Sequence, residues 1–273
     1  MSSFDVLESG QEGSRPIELY EFVLGVDQFR FTSAEDIITI GTDVYEPEAI
    51  ARSRIEQGAD QNNRTITVTV PTPNTLAQKY VTVPPGEKAT LNIFRFQRDE
   101  VPSFNTQVLL FKGLVQGCRF PNDGESAEFA VRSVETALNR NVPRFTFMSM
   151  CNHVLFDAAC GAIADNFDHL GVATSTSGTT VTISGVAASG IDFVGGYVRP
   201  TALNDFRMVL AQSGDVLTLL LPFAEDPAGN NMQAFAGCDH LLLGDCALVF
   251  DRIADYGGFA FVPSKNIFAS GLD

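Results

Sequence analysis

The chain has 273 residues, with 18 basic and 33 acidic side chains, a net charge of −15, 45% hydrophobic residues and 19% charged ones. That balance excludes disorder over most of the chain, and the length suits two ordinary domains or one domain with an insertion. A surface this negative repels phosphate backbones and anionic lipid heads, which argues against nucleic-acid grip and membrane adsorption.

Met1-Ser-Ser-Phe-Asp-Val-Leu-Glu-Ser-Gly10 has neither a basic flank nor an apolar block, so synthesis and folding are expected in the cytoplasm. Up to about residue 150, apolar and polar residues mostly alternate. Arg64-Thr-Ile-Thr-Val-Thr-Val70 and Thr90-Leu-Asn-Ile-Phe-Arg-Phe96 show the period of half-buried strands. Breakers at Pro71, Pro73, Pro84, Pro85, Gly86, Pro121 and Gly124 give the punctuation of a sandwich or barrel. Phe-x-Phe pairs at Phe29/Phe31, Phe94/Phe96, Phe145/Phe147 and Phe259/Phe261 are expected to bury two rings on one strand face.

A short helix is expected somewhere in Phe156–Phe167. From Gly171 to Ala236 the composition shifts to small polar residues and short β-like runs, Val181–Ser184, Phe193–Val198, Phe206–Leu210 and Val216–Leu221, which reads as a β module of its own. The longest apolar run, Val216–Ala224, is broken by Thr218 and Pro222 and falls well short of the ~18 residues that span a bilayer.

A repeated phrase flanks that module. Cys151-Asn-His-Val-Leu-Phe-Asp-Ala-Ala-Cys160 and Cys238-Asp-His-Leu-Leu-Leu-Gly-Asp-Cys246 share the order Cys, any residue, His, aliphatic, Leu, apolar, then Cys. Five cysteines in a chain with no secretory leader suggest metal ligation more than disulfides. The gaps between paired sulfurs exceed those of zinc knuckles, so each half is a wide loop. Spacing alone leaves an iron–sulfur cluster, zinc with His153 and His240 as ligands or sulfur partners, and unligated buried thiols all open. Cys118 reads as a small strand hydrophobe.

The order Cys-x-His-x-Leu-Phe-Asp-x-x-Cys-Gly at 151–161, Gly237-Cys-Asp239, Cys246 and Tyr256-Gly-Gly-Phe-Ala-Phe-Val-Pro263 resembles the C-terminal region of phage tail hub proteins. That family includes the hub of gene transfer agents and the L-type tail-tip protein of lambda-like siphophages. Tyr45-Glu-Pro-Glu-Ala-Ile-Ala-Arg-Ser-Arg-Ile-Glu56 and the strand Thr65–Val70 resemble its hub part. The resemblance implies a [4Fe-4S] cluster on Cys151, Cys160, Cys238 and Cys246, with zinc as the alternative. It also implies a homotrimer in the virion at the tail tip, meeting a distal tail protein ring, a tape measure protein and a central fibre or receptor-binding hub protein. Host-membrane contact is confined to infection. The departure from the family is the 77 residues between Cys160 and Cys238.

Other chemistries find little footing. There is no Gly-x-Ser-x-Gly, and two of the three histidines lie inside the Cys phrases, leaving His169 without a triad. Gly195-Gly196 and Gly257-Gly258 lack a phosphate-cradle context and read as close backbone approaches. The expected fold class is mainly β, with a hub β-barrel or sandwich domain over 1–150, an inserted β module over 171–236, and a cysteine-ligated iron–sulfur region from 151–170 and 237–273. The expected role is a structural virion protein and not an enzyme. It closes the distal tail tube and links it to the fibre hub, the cluster ordering its C-terminal domain. An iron–sulfur electron carrier or redox enzyme, or a zinc-stabilised structural protein, is the alternative.

Overall fold

The computed structural model describes residues 16–55, 65–97, 107–121, 124–138 and 145–262, so Glu56, Arg64 and Pro263 of the motifs above lie outside the described residues. The chain divides into two compact units, Met1–Arg140 and Asn141–Asp273. The fold is mainly β, as the alternation predicts.

The first unit is a nine-stranded sheet of β1 (Pro16–Leu24), β2 (Asp27–Thr32), β3 (Ile38–Ile40), β4 (Asp43–Pro47), β5 (Ala51–Arg52), β6 (Thr65–Pro71), β7 (Thr90–Gln97), β8 (Val108–Arg119) and β9 (Ser126–Ser133), in the order β3-β4-β2-β1-β7-β8-β9-β6-β5. All its pairings are antiparallel except β2 with β4. In β6, Ile66, Val68 and Val70 point inward between exposed or half-buried residues, the period-two pattern of a strand with one wet face. They join Tyr20, Phe22, Leu91, Ile93, Phe129 and Val131 in the main core. β1 is buried on both faces, because Ile17 and Leu19 enter a second cluster with Ile38, Tyr45 and Phe96. β7 serves both clusters by alternation, Leu91 and Ile93 on one face and Phe94 and Phe96 on the other, while the register shift opposite Ile93/Phe94 leaves Leu110 of β8 as an extra residue.

The sheet curls until β5 at its edge reaches back to β1. Arg52 Nε donates to Glu18 Oε2 at 2.8 Å, Arg52 Nη2 pairs with Glu18 Oε1, and the Tyr20 hydroxyl donates to the same carboxylate at 2.7 Å. Burial disfavours ionised Glu18, but hydrogen bonds from Arg52 and Tyr20 outweigh it and hold the carboxyl below its usual range.

In the second unit β10 (Asp168–Ser177), β11 (Thr180–Ile183), β12 (Tyr197–Pro200), β13 (Arg207–Ser213), β14 (Val216–Leu219) and β15 (Asn231–Phe235) close a barrel in the order β10-β11-β14-β13-β12-β15. Closure depends on bends in two strands. β10 pairs with β15 through Val172 and with β11 from Ala173, and β13 passes from β12 to β14, each with a register irregularity at or near the change. Val181, Ile183, Phe193, Val198, Val209, Leu217 and Met232 fill the interior. Hairpin loops at Gly25-Val26, Gly41-Thr42, Gly178-Thr179 and Gly214-Asp215 each place glycine first, with φ of 59°, 62°, 57° and 61°. This is the two-residue geometry that suits strand twist and that a side chain resists.

Two expectations fail here. Phe156–Phe167 is not helical apart from a 3-10 turn at Ala164–Asn166, because Phe156 and Gly161 adopt left-handed φ of 67° and 69° that no right-handed helix admits. Phe145/Phe147 and Phe259/Phe261 lie off the strands and do not bury their rings; Phe147 and Phe261 are 82% and 93% exposed. Phe147 and Phe259 meet instead across the chain at 4.6 Å between ring centroids. Phe31 and Phe96, by contrast, are buried strand residues.

Phe193 is fully buried in the barrel, so Phe193→Ala is expected to cost about 3–5 kcal/mol in denaturant unfolding. The stability carried by Glu18 is present above its unfolded-state pKa and lost as pH falls through the lower folded value. Unfolding midpoints of the parent are therefore expected to drop more steeply below about pH 4 than those of Glu18→Gln.

Candidate functional site

The barrel's ends are neighbours. Asp168 pairs with Phe235 across β10 and β15, and Ala236 N–H donates to Phe167 O at 2.9 Å, so the segments before and after the barrel leave it side by side. Beneath them Phe250 packs against Phe167 and Phe156, with centroids at 4.7 and 6.0 Å, and Cys160 and Cys238 rest on this small core with Ala162 and Ala236.

Each cysteine loop is shaped by a carboxylate that accepts backbone amides. Asp157 Oδ1 accepts from Cys160 N at 2.7 Å and Ala159 N at 3.0 Å. The Cys160 amide is the largest of the influences that hold the Asp157 carboxyl below its usual range. In the second loop Asp239 Oδ1 accepts from Leu241 N at 2.9 Å and Asp245 N at 3.2 Å, while Asp245 Oδ2 accepts from Asp239 N at 2.8 Å. This reciprocal clasp requires Gly244, where a Cβ would fall 1.9 Å from Asp239 Oδ2. In the sequence these aspartates stand inside the Cys phrases with no expected role of their own. Their signal would have been an acid six residues after Cys151 and another seven after Cys238.

The two loops are cross-braced. Cys151 N–H donates to His240 O at 2.9 Å, the Tyr256 hydroxyl donates to His240 O at 3.2 Å and also reaches Ser149 O, and Asn152 Nδ2 donates to Gly257 O at 2.9 Å. As a result Cys151, Cys160, Cys238 and Cys246 all line one pocket, together with His153, His240, Phe250 and Arg252. Cys118 stands apart on β8 against the first unit's core, its thiol pushed up to about 11 by burial.

Two of the four sulfurs already accept amides: His240 N–H reaches Cys238 Sγ at 3.3 Å, and Gly257 N–H reaches Cys151 Sγ at 3.3 Å. Cys246 Sγ lies 3.2 Å from Arg252 O. Burial, with Asp245, Asp239 and Cys160 adding to it, pushes the Cys238 thiol up to about 11 despite the His240 amide. Cys246 is raised too, by burial and then by Cys151 and Cys160. Burial and neighbouring groups oppose ionisation of Cys238 and Cys246, so a cation that takes their thiolates would bind with release of protons.

Among the described residues, the donor group that lies within 4.8 Å throughout is Cys238, Asp239 and Asp245, and no trio of the four cysteine sulfurs is that tight. Tetrahedral zinc with Zn–S of about 2.3 Å needs sulfurs roughly 3.8 Å apart. The quartet is wider than that, and both carboxylates of the tight trio are engaged by backbone amides. Four cysteines on one pocket offer the thiolate donors that either zinc or an iron–sulfur cluster takes.

A family model described as the N-terminal attachment domain of baseplate hub proteins matches residues 20–163, more than half of the chain. The chain belongs to the baseplate hub family. The matched region takes in Cys151 and Cys160 and ends before the barrel. This hub also shares its fold with a chain in the virion of a native gene transfer agent particle, with a TM-score of 0.78 at 15% identity over 100% of this chain and 96% of that one. No match is found among curated proteins.

Gly244→Ala in the hub is expected to force the Asp239–Asp245 clasp open, at about 1–3 kcal/mol. Mass-spectrometric alkylation should then label Cys238 and Cys246 faster than in the parent and leave the rate at Cys118 unchanged.

Proposed function

We propose that this baseplate hub builds the tail tip, with Cys151, Cys160, Cys238 and Cys246 holding a [4Fe-4S] cluster that orders the region around the barrel's base. The observation that carries the reading is the convergence of four cysteines from two distant loops on one pocket, two of them already receiving backbone amides. When bound, such a cluster supplies four metal–thiolate bonds that the unfolded chain lacks, so its binding energy becomes folding energy. The chain's own share is to close each loop with a carboxylate, cross-brace the loops, and shield the sulfurs with Phe250 and Leu155.

A structural role in the virion follows from the family. The finer role is to close the distal tail tube as a homotrimer and to join a distal tail protein ring and the tape measure protein above to a fibre or receptor-binding hub below. The shared fold with a chain of a gene transfer agent virion supports it. So does the charge of −15, because a ring traversed by DNA should not hold phosphates. The work is mechanical rather than catalytic.

Anaerobically purified protein is expected to contain iron and acid-labile sulfide near four of each per chain. Cys118→Ser should leave both unchanged. Cys151→Ser or Cys238→Ser should lower both, and should yield particles lacking the distal fibre hub. Stoichiometric zinc without sulfide would overturn the cluster, and complete infectious virions carrying both substitutions and no iron would overturn its structural role.

A further inference from the structure

The repeated Cys-x-His phrase invites the reading that both histidines are ligands, and both residues do line the pocket. The geometry points elsewhere. Among the described residues, no group of three donors within 4.8 Å includes either ring nitrogen. What each histidine does have is a tie to an amide that points at a cysteine sulfur.

His240 adopts a left-handed φ of 57°, unusual for a residue other than glycine. In that conformation its own N–H turns back onto Cys238 Sγ, two residues earlier, at 3.3 Å. Its carbonyl meanwhile accepts from Cys151 N and the Tyr256 hydroxyl, so the same residue braces the opposite loop. His153 acts at one remove. Its ring lies against Gly257, where a Cβ would fall 2.4 Å from His153 Nε2 and 2.5 Å from Cδ2, and all three nearest atoms belong to that ring. The ring is backed in turn by Phe145, edge to face at 5.4 Å. Gly257 is thus seated between a fixed ring and a sulfur, with its carbonyl held by Asn152 and its N–H on Cys151 Sγ at 3.3 Å.

We propose that the two histidines are positioning residues, each setting one backbone amide on one cysteine sulfur, His240 its own on Cys238 and His153 that of Gly257 on Cys151, and that neither ring binds metal. This rests on the four cysteines acting as thiolate ligands. Amides donated to ligand sulfurs stabilise the more negative, reduced state of a cluster, so the device sets the potential as well as the position. One of the two sulfurs so served, Cys151 and Cys238, falls in each half of the repeated phrase, beside that half's own histidine.

The test uses the full chain, reconstituted anaerobically with ferrous iron and sulfide, reading metal content and midpoint potential, with circular dichroism as the check on folding. His153→Phe keeps a ring against Gly257, and His240→Gly keeps the amide at a φ that glycine accepts. Both are expected to retain iron at the parent level. His153→Ala should retain iron but shift the potential to lower values as the Gly257 amide loosens. Gly257→Ala should lose iron or shift in the same direction. The double variant Gly257→Ala/His153→Ala should recover, because the new methyl occupies the space the ring leaves.

Loss of iron from folded His153→Phe or His240→Gly would show ring ligation and overturn the proposal. So would a potential unmoved in both His153→Ala and Gly257→Ala. If His240→Gly does not fold, His240→Asn gives the same readout, since asparagine tolerates positive φ. A parent that takes up zinc and no sulfide defeats the cluster but not this inference. Unchanged zinc content in His153→Phe and His240→Gly then upholds it, and zinc loss overturns it. A parent that binds neither metal overturns both.

Discussion

Five residue pairs between β10 and β15, from Asp168↔Phe235 to Val172↔Asn231, fix the separation of two cysteine pairs that lie 77 residues apart in the chain. Bringing the ends of a flexible loop of that length together costs about 4 kcal/mol in chain entropy. Here the barrel meets that cost through its own core of Phe193, Leu217, Met232 and their neighbours. What remains for the loops is local: three carboxylates that gather backbone amides, and a cross-brace through His240 O and Gly257 O. The site is assembled by a β fold from segments that have almost no regular structure of their own.

The first unit solves a different problem with one charged group. A sheet that curls without closing leaves its last strand unpaired on one side, and β5, paired only with β6, is two residues long. A strand that short offers little backbone to a stranger. Its position is fixed by side chains, Arg52 on Glu18 with Tyr20 beside them, where half-burial strengthens the pair without the full desolvation of a deep ion pair. This is a point of specificity laid over an apolar core that would tolerate several closures.

Strand positions were legible in the sequence wherever one face is wet. Thr65–Pro71 alternates and is a strand with Ile66, Val68 and Val70 inside. The four cysteines of the two Cys-x-His phrases could be picked out because a repeated phrase survives any fold. Legibility ended where periodicity did. Phe-x-Phe looks alike on a strand and in a loop, and only neighbours unseen in the sequence decide that Phe31 is buried and Phe147 is not. The expected helix at Phe156–Phe167 failed because Asp157 turns the chain with its own side chain, a local competition that propensity does not register. The four Gly-x hairpin loops carried a usable signal of their own, because the first loop residue takes a positive φ that favours glycine. The Asp239–Asp245 clasp left only an acid at a set distance from its cysteine and no period, since a carboxylate accepting amides across six residues repeats nothing.

The closed barrel with adjoining ends also bears on how such a tail tip can change over generations. Its six strands have no open edge, and its entry and exit are held by pairing between β10 and β15. Residues on its outer surface, and the loops far from that pairing, can drift, lengthen or be exchanged wholesale without moving Cys160 relative to Cys238. A lineage could therefore re-clothe this cylinder to suit a new neighbour or environment while inheriting the sulfur pocket intact. The cylinder and the sulfur pocket join where its two ends adjoin, at Ala236 N–H on Phe167 O.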